Sequence, residues 1–240
     1  MINECAPLLP EDIIKRAEKL NVALILDGVK AAKIDIPNGG CKKKIFFFWN
    51  ADINPCVRGA TVVGTALTVE AAEGNNYPIH IASYNFKADG YIMVIDGKGY
   101  RERAYFGDLI MGACQAVGFK GMVIDGYTRD LDGTIELKFP VYSKGLMPRG
   151  PIKKAEGNIN TTITWAGVVV EPGDLVCGDS DGVCVIPKKY IEIVLSAAEE
   201  KALYEDNRNK TIAAYREAKK NGTELPQLAP QWVVEMQQNK

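Results

Sequence analysis

The chain has 240 residues, a formal net charge of -1, 47% apolar residues and 25% charged ones. That is enough for one large domain with an ordinary core, and there is no basic excess to neutralise a nucleic-acid backbone. The longest apolar cluster, IFFFW at 45–49, falls far short of the ~20 residues needed to cross a bilayer. The run MINECAPLLPEDIIKR lacks the basic start and apolar stretch of a secretory signal. We therefore expect a cytoplasmic protein with no nucleic-acid partner and no membrane partner. Lys42, Lys43 and Lys44 read as a solvated loop.

In chain order, EDIIKRAEKL at 11–20 carries Ile13, Ile14, Ala17 and Leu20 at helical spacing. VALILDGV at 22–29 fits a strand or a helix. The stretch 35–59, rich in Gly, Pro and Asn, reads as loop with a short aromatic strand. TVVGTALTVEA at 61–71 reads as a strand interrupted at Gly64. The clearest unit follows: β-rich GYIMVID at 90–96, a helical face in GDLIMGACQAVG at 107–118, then β-rich GMVID at 121–125. Strand, helix and strand in this order predict a βαβ unit with a parallel pair. Val-Ile-Asp-Gly occurs at 94–97 and again at 123–126, which we take as a coincidence of two strand ends. Further β runs are ELKFPVY, TWAGVVV, DLVCG and GVCVIP. DSDG at 179–182 reads as a hairpin turn in which Asp181 and Gly182 supply positive φ. Lys188 to Asn221 reads as one long helix or two, stopped by Asn221-Gly222. The tail after 222 reads as a segment that wraps over a neighbour or is partly disordered. The division expected is an α/β domain over 1–187 and a helical extension over 188–240.

The six cysteines form no C-x-x-C pair and read as small buried apolar residues. With one histidine, His80, they exclude most zinc arrangements. Any metal should be a hard cation held by carboxylates and water. The loop at 106–109 leads into the 107–118 helix, whose first turn offers unpaired N–H groups to a small anion. Gly107 would allow close approach, while Asp108 fits a helix cap equally well. GYTRDLDG at 126–133 leaves the carboxyl end of the second parallel strand, where ligand crevices lie. Asp108, Arg129 and Asp130 are therefore expected on one rim. Arg129 can hold a carboxylate with a bidentate fork and Asp130 a hard cation; a surface ion pair also fits. In the C-terminal helix the apolar stripe Ile191, Leu195, Ala198, Ala202 continues into Glu205 and then Ile212. That carboxylate marks either the point where the helix leaves the core or a placed functional group. His80, in YPIHIAS, reads as a core or helix-face residue.

These residues resemble the RraA-like family, which comprises regulator of ribonuclease E activity A and the 4-hydroxy-4-methyl-2-oxoglutarate / 4-carboxy-4-hydroxy-2-oxoadipate aldolases. The resemblance runs from about Ala23 to Arg208, with G-D-L-x8-G-x2-G-M-V-I-D-G-x-x-R-D at 107–130 as its most specific part. VVGTALTV at 62–69, DGYIMVIDG at 89–97, GLMPRG at 145–150 and GVVVEPGDLVCGDSDGVCVIP at 167–187 support it. It implies a swivelling β/β/α sandwich, assembled as a homotrimer or homohexamer with sites between subunits. It also implies a divalent-metal-dependent class II aldolase using Mg²⁺ or Mn²⁺. Carried over, Asp130 ligates the metal, Arg129 binds the substrate, and Gly107, Asp108, Leu109 and Ile110 hold the pyruvate carboxylate. Asp108 positions a water on the ion, and Glu205 of the adjacent subunit completes the set, with Glu199 and Glu200 as fallbacks. The helix and tail at 188–240 would pack on that neighbour. PNGGCKKKIFFFWNADIN at 37–54 and the length after Gly222 depart from the family pattern.

The activity expected is cleavage of 4-hydroxy-2-oxo acids to pyruvate, with oxaloacetate decarboxylation through the same enolate. Two other readings remain at this stage. One is a non-catalytic regulator binding a protein partner. The other is a Schiff-base aldolase, for which no lysine has an obvious desolvated strand context. A methyltransferase reading finds no glycine motif for its cofactor.

Overall fold

YIMVID and GMVI are apolar without alternation, as strands covered on both faces must be. The computed structural model describes residues 1–34, 52–153 and 157–238. The expected aromatic strand and the lysine run lie outside them. The elements are α1 (Glu11–Ala17), α2 (Val22–Ala31), β1 (Asn54–Pro55), β2 (Val62–Glu70), α3 (Tyr77–Asn85), β3 (Tyr91–Asp96), α4 (Asp108–Ala116), β4 (Gly121–Ile124), β5 (Tyr127–Thr128) and α5 (Leu131–Leu137). There follow β6 (Val141–Ser143), β7 (Gly145–Leu146), β8 (Asn158–Ile159), β9 (Ile163–Trp165), β10 (Val168–Val170), β11 (Leu175–Asp179), β12 (Gly182–Ile186), α6 (Ile191–Asn221) and α7 (Gln231–Gln238).

The main sheet has the order β1-β6-β4-β3-β2-β11-β12, with β8 on β2. Strands β2, β3, β4 and β6 are mutually parallel, while β11 runs antiparallel to both of its neighbours, β2 and β12. The two edges approach through β1 and β12, so the sheet nearly closes. One face buries Ala66, Ile92, Val94 and Val123 with α1, α2 and the start of α6. The other buries Leu67, Met93, Ile95 and Met122 with α3 and α4. The βαβ unit stands as expected. The two Val-Ile-Asp-Gly stretches lie side by side, Val94 opposite Val123 and Ile95 opposite Ile124, and so end at one level.

Several local expectations resolve or change. Residues 22–29 are helical, started by the Asn21 side chain accepting the Leu24 N–H at 2.7 Å. Gly64 does not interrupt β2. It marks a close approach, since a Cβ there would lie 2.9 Å from Gly90 O. Glu136 and Leu137 belong to helix α5, not to a strand; Lys138 at φ 51 ends that helix, and only 141–143 is extended. The β11–β12 hairpin turns on Ser180-Asp181, with Asp179 opposite Gly182. Of the expected pair only Gly182 has positive φ (136°), because Asp179 Oδ1 accepts the Asp181 N–H at 2.8 Å and shapes the turn. The C-terminal helix is a single one of 31 residues, closed by Gly222 at φ 67°. Its buried positions end at Ala198, and Lys201 still reaches Asp27 of α2 at 3.5 Å. The Arg16 guanidinium clamps its start to α1 through Glu192 at 2.7 Å and Glu199 at 2.8 Å. The tail carries α7, and Leu228 O accepts a bond from Arg208 Nη2 at 2.7 Å. Among the described residues no helix is long and apolar enough to cross a membrane.

Candidate active site

Three backbone segments run abreast beyond the carboxyl ends of β3 and β4. Tyr105 N–H donates to Tyr127 O at 2.9 Å, and Arg129 N–H to Phe106 O at 3.1 Å. Thr128 Oγ1 donates to the same Phe106 carbonyl at 2.8 Å. On the far side β5 pairs with β7 in parallel, and Met147 N–H reaches Thr128 O at 2.8 Å. This ladder delivers the start of α4 and the Arg129-Asp130 pair to one place. Buried Tyr105 supports it from below, its hydroxyl donating to Gly97 O at 2.6 Å and accepting from Gly74 N–H at 3.1 Å. Burial pushes that phenol up to about 12.

Gly107 is where the two parts touch. A Cβ built on it would lie 2.1 Å from Asp130 Oδ2 and 3.1 Å from Arg129 Cγ. The Asp130 carboxylate therefore occupies the space of a missing side chain. Asp130 reaches it from a left-handed backbone conformation, φ 60° and ψ 53°, at the N-cap of α5. That conformation costs a non-glycine residue roughly 1–2 kcal/mol, with Asp and Asn best suited to it. Asp108 lies against Gly133, whose Cβ would meet its Oδ2 at 2.6 Å. Both carboxylates thus line the junction of α4 and α5. Asp108 Oδ1 accepts the Leu109 N–H at 2.7 Å, but the N-cap of α4 is Gly107 and no side chain caps the helix, so Asp108 stands in the first turn and is not the cap that the sequence allowed. The Leu109 side chain is 85% exposed, and Ile110 is buried under the turn.

Arg129 Nε lies 3.2 Å from Asp130 Oδ2, yet it is buried without a directed hydrogen bond. Its Nη1 lies 2.9 Å from where a Gly150 Cβ would be. Gly107, Asp108, Leu109, Arg129 and Asp130 are thus brought together. Glu205 is not joined to them within one chain: α6 packs on the face opposite α4, and Glu205 lies 3.9 Å from Lys201. Of the fallbacks, Glu200 is exposed, whereas Glu199 accepts two bonds from Arg16, which holds its carboxyl below the ordinary value.

Sequence reading missed several neighbours. Tyr105 and Gly150 carry no chemical motif, although Gly150 closes the GLMPRG stretch. Lys144 pairs with Asp125 in a nearly buried contact. It meets a carboxylate, not the apolar or cationic surroundings that activate a Schiff-base lysine. His80 sits on α3 beside Tyr84, ring centroids 6.0 Å apart, and burial lowers its pKa.

The family model described as RraA-like (aldolase/RraA) matches residues 41–185. A Halalkalibacterium halodurans protein, provisionally named 4-hydroxy-4-methyl-2-oxoglutarate aldolase, is 39% identical over 161 residues, covering 67% of this chain and 76% of that protein. The crystal structure of Streptomyces coelicolor RraAS2, described as an unusual member of the RNase ES inhibitor RraA family, superposes with TM-score 0.72 at 19% identity, over 85% of this chain and 98% of that one. A Geobacillus kaustophilus structure described as an S-adenosylmethionine:2-dimethylmenaquinone methyltransferase gives TM-score 0.53 at 28% identity, over 57% and 83%. The ordered motif at 107–130, the sheet that presents it and these matches agree: the chain belongs to the RraA-like aldolase/RraA family.

Proposed function

We propose that this site is a divalent-metal-dependent class II aldolase that cleaves 4-hydroxy-2-oxo acids to pyruvate and decarboxylates oxaloacetate as a side activity. The observation that carries the reading is the Asp130 carboxylate seated on Gly107 with Arg129 Nε 3.2 Å away. A carboxylate, an unsaturated guanidinium and a helix start meet there at a partly open rim.

The residues fit a hard cation. Asp130, its side chain 39% exposed, would be the ligand, and Asp108, at the same junction of α4 and α5, would orient a water. No group of three or more His, Cys, Asp or Glu side chains converges among the described residues. Bound here, Mg²⁺ or Mn²⁺ would therefore take one or two carboxylates from the chain and leave its other positions to water and substrate. When bound, the ion supplies Lewis acidity toward the 2-oxo group.

The chain's own groups do the rest. The first-turn amides of α4 and the Arg129 fork hold the substrate carboxylate. Since Asp108 already takes the Leu109 amide, the N–H groups of Asp108 and Ile110 are the ones proposed for that task. Cleavage removes the 4-hydroxyl proton, breaks C3–C4 and leaves its electron pair in a pyruvate enolate, which is then protonated at C3. Arg129 stabilises the enolate oxygen by fixed positive charge. Asp108, with Glu205 from an adjacent copy in a homotrimer or homohexamer, steers the proton.

The test is oxaloacetate turnover with Mg²⁺ in Arg129→Ala and Asp130→Ala, alongside deuterium exchange of the pyruvate methyl group. Removing one electrostatic stabiliser should lower kcat about 10²–10³-fold. Near-wild-type rates in either variant would end the assignment.

A further inference from the structure

We propose that Arg103 reads a second acid group on the substrate; this rests on the 2-oxo acid reading above. Arg103 immediately precedes the segment that pairs with 127–129. Its side chain crosses Gly74, where a Cβ would lie 2.9 Å from Arg103 Cδ, and its Nη1 donates to Gly150 O at 2.7 Å. Arg129 Nη1 comes to the same glycine, 2.9 Å from its missing Cβ. Both guanidinium groups therefore border one residue that has no side chain, one at its carbonyl and one where its Cβ would be.

Their charge balance differs. Arg129 has Asp130 at ion-pair distance. Arg103 is half-buried and forms no ion pair among the described residues; its bond there is to a neutral carbonyl. A guanidinium carries five N–H donors, so one carbonyl leaves most of its capacity unused. Two neighbouring cations repel unless an anion joins them. The carboxylate next to the keto group accounts for Arg129. A second carboxylate further along the same chain accounts for Arg103, whose planar fork suits it. Arg103 is then a specificity-determining residue that separates dicarboxylic from monocarboxylic 2-oxo acids.

The competing view is that Arg103 only braces the 149–152 segment through Gly150. Calorimetric titration with Mg²⁺ present separates the two, using 2-oxoglutarate and 2-oxopentanoate, which share chain length and differ in the second acid. Wild type should bind 2-oxoglutarate at least about tenfold more tightly. Arg103→Gln keeps an N–H donor for the carbonyl but loses the charge, and should bring the two affinities within about twofold of each other. Arg103→Lys should restore part of the preference. The inference is overturned if wild type does not discriminate, if Arg103→Gln still prefers the dicarboxylate, or if both acids weaken equally. Pyruvate deuterium exchange is measured in parallel. Exchange absent in wild type, with a preference that Arg103→Gln erases, would sink the lyase chemistry and leave the acid subsite standing.

Discussion

Replacing Gly107 by alanine puts a methyl carbon 2.1 Å from Asp130 Oδ2 and 3.0 Å from its Cγ. To reach an ordinary contact the carboxylate must retreat by roughly 1 Å. The backbone offers no resistance, because Gly107 is extended at φ -140° and ψ -163°. The Asp130 side chain is 39% exposed and can swing toward solvent, so the fold should lose less than about 1 kcal/mol. Chemistry is less forgiving: a displacement of about 1 Å in a positioning group costs on the order of 10²-fold. The assay pairs initial rates of oxaloacetate decarboxylation across a Mg²⁺ series with urea unfolding of the same preparation. The expected result is a kcat/KM about 100-fold lower and a higher Mg²⁺ requirement at nearly unchanged stability. Activity within about threefold of wild type would refute the claim that this contact positions the reaction. A loss of more than about 2 kcal/mol in stability would mean that Gly107 serves packing instead.

Three further outcomes follow from the same geometry. In Gly28→Ala the new methyl meets Val194 O at 2.6 Å and Ala198 Cβ at 2.9 Å. Backbone cannot step aside cheaply, so urea unfolding should show a loss of about 1–3 kcal/mol with unchanged substrate affinity. Tyr105→Phe removes the bond to Gly97 O and strands the Gly74 N–H. It should cost about 1–3 kcal/mol and, by loosening the support under α4, raise KM for 2-oxo acids. The third concerns His80, whose folded pKa is lowered by burial and then by Lys153. Above the ordinary value of 6.5 the ring is neutral in both states. As pH falls through 6.5 the unfolded chain binds the proton first, so stability drops until pH passes the lower folded value. The chain has one histidine, so a stability-versus-pH series in His80→Gln should lose this component; an unchanged slope would assign it elsewhere.

Local signals were legible and held. The unalternating runs of β3 and β4, the helical face of α4 and the glycine after Asn221 each depend on residues close together in the chain. Where local reading failed, a distant partner had decided the matter. Gly64 looked like a break but answers the Gly90 carbonyl across the parallel pair. VALILDG was ambiguous because its glycine is explained only by α6 lying 2.6 Å from its missing Cβ. The paired Val-Ile-Asp-Gly stretches are two strand ends, as read; that they lie in register was invisible along either strand alone.

The sequence by itself determined the βαβ unit at 90–125, the first helix, the helical C-terminal stretch and, through the ordered motif at 107–130, the family. It also narrowed the site to a helix start and an Arg-Asp pair on one rim. Only the tertiary structure decided that Asp130 seats its carboxylate on Gly107, that Arg103 and Arg129 both border Gly150, and that Glu205 belongs to a helix whose buried start packs on the other face of the sheet. The reason is geometric. Periodicity and turn chemistry are properties of neighbours in the chain, whereas the direction of a side chain toward a distant backbone depends on register and sheet twist, which no single segment encodes.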